Sequence, residues 1–249
     1  MTRRRIWWEV AIVLGLSLGA SAVYAIVALI ADLSSGKSLA DQSAALNTSQ
    51  SATPWLDVTY QLLGVFFDLF PVALAIYLLW MPGRSAFEAI GLTWRRPGRD
   101  LGTGLLLAAA IGIPGLAFYA LGRLAGITVS VQASPLDPHW WTIPLLVLSA
   151  VRAALQEEII VVGYLFARLR ELEWGKWATI IASAVLRGSY HLYQGVGPFF
   201  GNAVMGVVFG WVYSRWGRTA PLVVAHAVLD IVSFVGYPVA VAAFPAIFR

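Results

Sequence analysis

The stretch that decides the fold runs from Trp140 to Ala167 and reads WWTIPLLVLSAVRAALQEEIIVVGYLFA. It is longer than the roughly 20 apolar residues that a helix needs to cross a bilayer. Yet it contains two adjacent glutamates, Glu157 and Glu158. A charged side chain inside hydrocarbon costs from about 2.5 to over 10 kcal/mol, so this pair is expected to have a function or a buried partner.

The composition around this stretch is that of a membrane protein. Of the 249 residues, 59% are hydrophobic and 12% are charged, whereas soluble domains are about 25% charged. The formal net charge is +4, but the basic residues stand in short clusters between apolar runs. This pattern excludes a soluble enzyme, a disordered chain and a nucleic-acid-binding domain, and it favours a polytopic membrane protein. The sequence has no cysteine, which excludes disulfides and thiolate sites.

Seven apolar runs are long enough to be spans, so the sequence predicts an all-α membrane bundle of seven or eight transmembrane helices. The runs cover about 6–31, 57–80, 101–122, 140–167, 177–194, 198–214 and 220–237. A shorter stretch from Val239 to Phe248, interrupted by Pro245, is either part of an eighth span or a re-entrant segment. We divide the chain into three N-terminal spans in residues 1–130 and a helical core in residues 131–249.

The basic residues also predict an orientation, because Lys and Arg collect on the cytoplasmic side of a membrane. Cations are frequent at the N-terminus, in the second loop and after the fourth span, and they are sparse in the loops between. This alternation places the N-terminus in the cytoplasm. The expected location is a multi-pass position in the plasma membrane.

Most charged residues lie in loops, but the last four spans contain a group of ionisable side chains. They are Arg152, Glu157, Glu158, Arg187, His191, His226 and Asp230. Asp68 stands alone in the second span. Ionisable residues inside a membrane mark functional or paired structural sites, so this group is the candidate site.

The spacing of these residues predicts which of them share a face. Arg187 and His191 are four residues apart, as are His226 and Asp230, so each pair lies on one side of its helix. The two adjacent glutamates point roughly 100° apart on a helix, so we expect that they do not share one partner from one direction. Three helices thus bring acids and imidazoles inward.

Two carboxylates and two imidazoles in a dry pocket are the groups that amide hydrolysis needs. A carboxylate can act as a general base on water beside a neutral imidazole, and a second imidazole can stabilise the oxyanion. No cofactor is required on this interpretation. The same groups could instead bind zinc, with Glu157, His191 and His226 as the ligands. Spacing does not separate the two alternatives, because the groups come from distant spans.

Three motifs in order resemble the CAAX-protease and bacteriocin-processing family of intramembrane proteases, which includes the type II CAAX prenyl endopeptidases. The family signature is Glu-Glu-x-x-x-Arg, then Phe-x-x-x-His, then His-x-x-x-Asn or Asp, each on a different span. The matching stretches are QEEIIVVGYLFARL (156–169), VLRGSYHLYQG (185–195) and VVAHAVLDI (223–231). The resemblance implies an endopeptidase that cleaves near the cytoplasmic side, with residues 131–249 as its catalytic core.

The resemblance also implies roles and a partner. Glu157 would activate water with help from His191, and Glu158 would orient the site. His226 and Asp230 would stabilise the oxyanion. The substrate would be a membrane-associated peptide or protein, in some cases lipid-modified, and the bilayer itself is a partner.

The sequence departs from the family signature at two positions. The arginine of the first motif is Val162, and the phenylalanine of the second is Arg187. Two adjacent buried carboxylates need a counterion. We therefore hypothesise that Arg187 replaces the missing cation, pairs with Glu158 and belongs to the site.

Two other functions are compatible with the same residues. A member that has lost turnover could act as a membrane scaffold or an immunity-type protein, and the missing arginine favours that alternative. A proton-coupled transporter could use the buried acids, but the sequence lacks two matching halves with broken spans.

Several polar and small residues nearby have simpler interpretations. Asn202 is expected to form a helix–helix hydrogen bond, and Arg152 either to snorkel or to make an intrahelical contact. Gly206 and Gly210 are expected to allow close helix packing. Tyr190 is treated only as a polar neighbour of the site.

Overall fold

The computed structural model of the protein describes residues 2–93, 95–134, 136–243 and 245. The helices are α1 (Arg3–Gly15), α2 (Leu18–Ser34), α3 (Pro54–Asp68), α4 (Phe70–Leu79), α5 (Ala86–Ala89), α6 (Pro97–Leu124), α7 (Thr142–Glu157), a π-helix (Glu158–Tyr164), α8 (Leu165–Glu171), α9 (Lys176–Ser189), α10 (Val196–Trp216) and α11 (Ala220–Ala243). Two 3₁₀-helices cover Leu39–Asp41 and Leu192–Gln194, and a small parallel sheet pairs β1 (Ser43–Ala45) with β2 (Ser130–Gln132). The fold is therefore helical, as expected, apart from this sheet between two loops.

The outer surface carries many large apolar side chains, which a soluble protein would not expose in such number. Tyr24, Leu106 and Ile113 are among the most exposed of them. In the described part of the chain, four helical stretches are long and apolar enough to cross a membrane. One of them is formed by α3 and α4 together, and the other three are the single helices α6, α10 and α11. The pair of α1 and α2, which is bent by 57°, adds a fifth if it is one span.

The predicted number of seven or eight spans is therefore not confirmed. The predicted span 140–167 is a continuous helical stretch, but it changes from α7 to the π-helix and then to α8. The predicted span 177–194 corresponds to α9, which has 14 residues and is too short to cross alone. The stretch from Val239 begins as the end of α11, which continues to Ala243. Residues 244 and 246–249 lie outside the described residues.

The π-helix lies between two apolar clusters. One cluster joins it to the N-terminal helices and includes Ile6, Val72 and Ile160. The other joins it to α6, α9, α10 and α11 and includes Val162 and Phe209. The N-terminal helices thus pack against the segment that carries the acid pair, and the division of the chain at residue 130 stays a prediction.

Helices α9 and α10 approach closely because small residues line their contact. A Cβ atom at Gly206 would lie 2.8 Å from the Cα of Ala184, and one at Gly210 would lie 3.3 Å from Cγ1 of Ile180. The expected packing role of these two glycines is confirmed. This contact brings α9, with Arg187, firmly against the rest of the core.

Replacing Gly206 by alanine is expected to lower the free energy of unfolding by about 1–3 kcal/mol, because the added methyl group meets backbone rather than a flexible side chain. Thermal unfolding of the purified protein in detergent measures the change. Gly115→Ala on α6 is the matched control, since a Cβ there has nothing within 4 Å. Equal stability of the Gly206→Ala and Gly115→Ala variants would contradict the packing argument.

Candidate active site

The acid pair stands where an α-helix becomes a π-helix. Glu157 is the last residue of α7, and Glu158 is the first residue of the π-helix. Their side chains are 10% and 0% exposed, respectively. A buried carboxylate needs a partner or a proton, so its neighbours decide what it can do.

Arg187 of α9 contacts both glutamates. Its Nη1 donates to Oε2 of Glu157 over 3.0 Å, and its Nη2 donates to Oε1 of Glu158 over 2.6 Å. The predicted pairing with Glu158 is present, whereas the expectation that the two acids do not share one partner from one direction is wrong. A guanidinium presents two N–H groups side by side, so one cation can reach two carboxylates that point apart.

His226 of α11 approaches the acids from a third helix. Its Nδ1 lies 2.8 Å from Oε1 of Glu158 and donates to that carboxylate. Its Nε2 lies 4.0 Å from Oε2 of Glu157 and 3.6 Å from Oδ2 of Asp230. The hydrogen bond to Glu158 fixes the ring, so Nε2 faces the space between Glu157 and Asp230. The predicted convergence of three helices is thus present for Glu157, Glu158, Arg187 and His226.

Tyr190 belongs to the site, although the sequence analysis treats it only as a polar neighbour. Its hydroxyl donates to Oε2 of Glu157 over 2.6 Å, and its side chain is buried. The sequence signal that could have identified Tyr190 as a site residue is its place between Arg187 and His191 in the second motif. The contact depends on where the chain turns after α9, which a hydropathy pattern does not reveal.

Replacing Tyr190 by phenylalanine is expected to cost about 1.5–3 kcal/mol of stability, because a hydrogen bond to a charged group is lost inside the protein. Tyr213→Phe is the control, since Tyr213 is also buried but packs on Phe166. Thermal unfolding of both variants in the same detergent makes the comparison. If the two variants unfold at the same temperature, the Tyr190 hydrogen bond does not contribute to the stability of the protein.

The spacing predicted that His191 and Arg187 lie on one face of a helix, but the structure does not place them so. Helix α9 ends at Ser189, and His191 stands in the turn that precedes Leu192–Gln194. Just before this turn, Gly188 packs closely against Phe199 at the start of α10, where a Cβ at Gly188 would lie 2.7 Å from the carbonyl oxygen of Phe199. Both ring nitrogens of His191 are inaccessible and have no hydrogen-bond partner among the described residues.

The remaining polar residues of the spans find partners outside the acid pair. Nη1 of Arg152 lies 3.4 Å from Oδ2 of Asp68 and donates to Oε1 of Gln156 over 3.3 Å. The expected intrahelical contact of Arg152 is confirmed, but Asp68 does not stand alone. The amide of Asn202 donates to the carbonyl of Pro198 within α10, over 3.0 Å, rather than to another helix.

The residues that could hold a metal differ from the predicted set. Ligand atoms of Glu157, Glu158 and His226 lie within 4.8 Å of one another, and His191 is not part of this group. The group fits a metal poorly, because Arg187 already binds both carboxylates and its charge opposes a divalent cation at the same oxygens.

The fold and the site define a helical membrane protein with paired glutamates, an arginine, a tyrosine and a histidine buried together. Residues 139–232 match the model of the family described as type II CAAX prenyl endopeptidase Rce1-like. The matched segment runs from the start of α7 into α11 and contains all six predicted site residues, so the resemblance is confirmed for this segment. No curated protein and no solved structure matches the chain.

Proposed function

We propose that the protein is an intramembrane endopeptidase that hydrolyses a peptide bond with a glutamate-activated water. The observation that carries the proposal is the buried group of Glu157, Glu158 and His226, whose ligand atoms lie within 4.8 Å of one another. The Rce1-like segment supports the same class of reaction. Hydrolysis inside a membrane requires a polar, water-accessible site, and such a group of side chains can form one.

Glu157 is the better candidate for the general base. It is the more exposed of the two acids, and both of its hydrogen bonds end at Oε2. Its Oε1 is therefore left to accept a proton from water. Glu158 is fully buried and holds Arg187 and His226, so its role is to orient them.

The gap between Glu157 and His226 has the size that a bridging water needs. Nε2 of His226 is 4.0 Å from Oε2 of Glu157, too far for a direct hydrogen bond, and a water beside this gap would bind His226 and donate to the free Oε1 of Glu157. The water would lose a proton to Glu157 as its oxygen attacks the carbonyl carbon of the scissile bond. Glu157 would then pass that proton to the leaving nitrogen, and the carbon–nitrogen bond would break.

His226 is placed to stabilise the oxyanion of this step. Glu157, Glu158 and Asp230 surround its ring, while Arg187 supplies one positive charge to the two glutamates. A protonated His226 would balance the glutamate charges, donating from Nδ1 to Glu158 and from Nε2 to the oxyanion. Asp230 would hold the imidazolium, and His191 would orient the water.

The substrate class and the cellular setting remain proposals from the family resemblance. We propose a membrane-associated or lipid-modified peptide as substrate, cleavage near the cytoplasmic side and a cytoplasmic N-terminus. The plasma membrane is the proposed location. No metal is required in the proposed reaction.

The test is peptide cleavage by the purified full-length protein in detergent, with a peptide library that includes lipidated members. Turnover is expected for the wild type and is expected to be lost in His226→Ala and strongly reduced in His191→Ala. His139→Ala is the matched control, because His139 stacks on Trp141 outside the site. A folded wild type that cleaves no library member would favour the scaffold alternative.

Metal dependence is tested in the same assay. Because Arg187 binds both carboxylates, treatment with a chelator is expected to leave the wild-type rate unchanged. Elemental analysis of the purified protein accompanies the assay. Loss of turnover with chelator and its return with zinc would show that the glutamate-base mechanism is wrong.

A further inference from the structure

The π-helix is the least regular part of the core, and it begins at the site. All seven of its residues, Glu158–Tyr164, are buried. A π-helix replaces the usual i→i+4 backbone hydrogen bonds with i→i+5 bonds, and such segments are frequent at functional sites. A less favourable backbone persists only when its surroundings hold it in place.

Helix α9 supplies a contact that can hold it. The hydroxyl of Ser183 donates to the carbonyl of Val161, inside the π-helix, over 3.0 Å. Ser183 is fully buried. It lies one helical turn before Arg187, so both side chains project from the same face of α9. That face of α9 thus makes two contacts with this stretch of chain. Ser183 binds a backbone carbonyl of the π-helix, and Arg187 binds the carboxylates of Glu157 and Glu158.

A second contact fixes the π-helix relative to α11. The side chain of Ile90 is fully buried and packs beside Gly163, where a Cβ would lie 3.2 Å from Cγ2 of Ile90. The carbonyl of Ile90 accepts hydrogen bonds from the backbone and hydroxyl of Thr219, over 3.0 and 3.1 Å. Thr219 directly precedes α11, the helix that carries His226.

We infer that Ser183 is a positioning residue that sets the register of α9 against the π-helix, so that Arg187 meets both glutamates. The part of the inference that concerns turnover rests on the proposed function. The part that concerns the register of α9 does not, because the hydrogen bond and the ion pairs exist whatever the reaction is. Ser183 touches neither carboxylate and would act through the backbone of Val161 and through Arg187.

The first experiment measures turnover of the full-length protein with Ser183→Ala and Ser183→Thr. Ser183→Ala is expected to lower kcat by about 10-fold to 100-fold with little change in KM, as for a small misplacement of catalytic groups. Ser183→Thr keeps the hydroxyl and is expected to restore most of kcat. Ser17→Ala is the control, because Ser17 is also buried and donates to a helix carbonyl, that of Val13, over 2.6 Å.

The second experiment does not depend on activity. Thermal unfolding is measured for Ser183→Ala, Arg187→Lys and the double variant, since lysine keeps the charge but cannot fork between two carboxylates. The two shifts in Tm are expected to be non-additive, whereas Ser17→Ala and Arg187→Lys should add. If Ser183→Ala does not fold, Ser183→Cys takes its place in the same cycle.

The outcomes separate the inference from the proposed function. A wild type without turnover but with coupled Tm shifts would overturn the peptidase proposal and retain the positioning role of Ser183 in the geometry. An active wild type with additive shifts and an unchanged kcat in Ser183→Ala would overturn the inference alone. A fall in kcat that Ser183→Thr does not rescue would also count against it.

Discussion

Replacing Glu157 by glutamine is expected to lower kcat for peptide cleavage by a factor of about 10²–10⁴, the range that a general base contributes. Glutamine has the same shape and can still accept hydrogen bonds from Arg187 and Tyr190, but it cannot take a proton from water. KM is therefore expected to change little. Steady-state cleavage by the purified protein, with thermal unfolding to establish that the variant is folded, provides the measurement.

Glu9→Gln is the matched control for this prediction. Glu9 lies on α1, its side chain is 12% exposed, and its Oε2 is 3.0 Å from Nη2 of Arg168. The control removes a buried acid of similar exposure from an arginine pair outside the site. We expect Glu9→Gln to alter stability while leaving kcat near the wild-type value. A Glu157→Gln variant as active as Glu9→Gln would exclude Glu157 as the base.

Replacing Arg187 by phenylalanine, the residue of the family motif, is expected to destabilise the protein by about 3–5 kcal/mol and to abolish cleavage. Removal of one partner from a buried ion pair leaves the other charge uncompensated, which is the reason for the large effect. Here two carboxylates lose the same cation. Thermal unfolding and the cleavage assay measure the two consequences separately.

The compensation hypothesis predicts that a second substitution repairs part of this loss. Val162 occupies the position of the family arginine and lies in the π-helix that begins at Glu158, so an arginine there would enter the same buried segment as that acid. Arg187→Phe with Val162→Arg is expected to retain more activity than Arg187→Phe alone. Arg187→Phe with Val161→Arg is the control, because its new cation is one residue out of place. The hypothesis is wrong if Arg187→Phe with Val162→Arg is no more active than Arg187→Phe alone, or no more active than the control.

Much of the fold follows from hydropathy, and the departures have local causes. The runs that became α6, α10 and α11 were long, apolar and free of internal breaks, so their positions were predictable to within a few residues at most ends. The predicted first span instead breaks at Leu16 and Ser17, between α1 and α2. A hydropathy window averages over such a break, because the residues directly on either side of it are mostly apolar.

The residues of the site were easier to predict from the sequence than the hydrogen bonds and ion pairs among them. Charge balance was sufficient to predict the pairing of Arg187 with Glu158, because one buried cation accompanied two buried acids. The second bond of Arg187, to Glu157, was missed because it depends on side-chain shape rather than on residue spacing. The position of His191 was wrong because helical spacing holds only while the helix continues. The π-helix has no signal in hydropathy, since its residues resemble those of any buried helix.

The distance in sequence between the acid pair and its counter-charges has a consequence for biosynthesis. Glu157 precedes Arg187 by 30 residues, and Glu158 precedes His226 by 68. The ribosome therefore delivers both acids to the insertion machinery before any neutralising partner exists. The stretch of α7 and the π-helix would enter lipid alone only at high cost, so we expect its integration to be completed together with α9, which carries the missing positive charge.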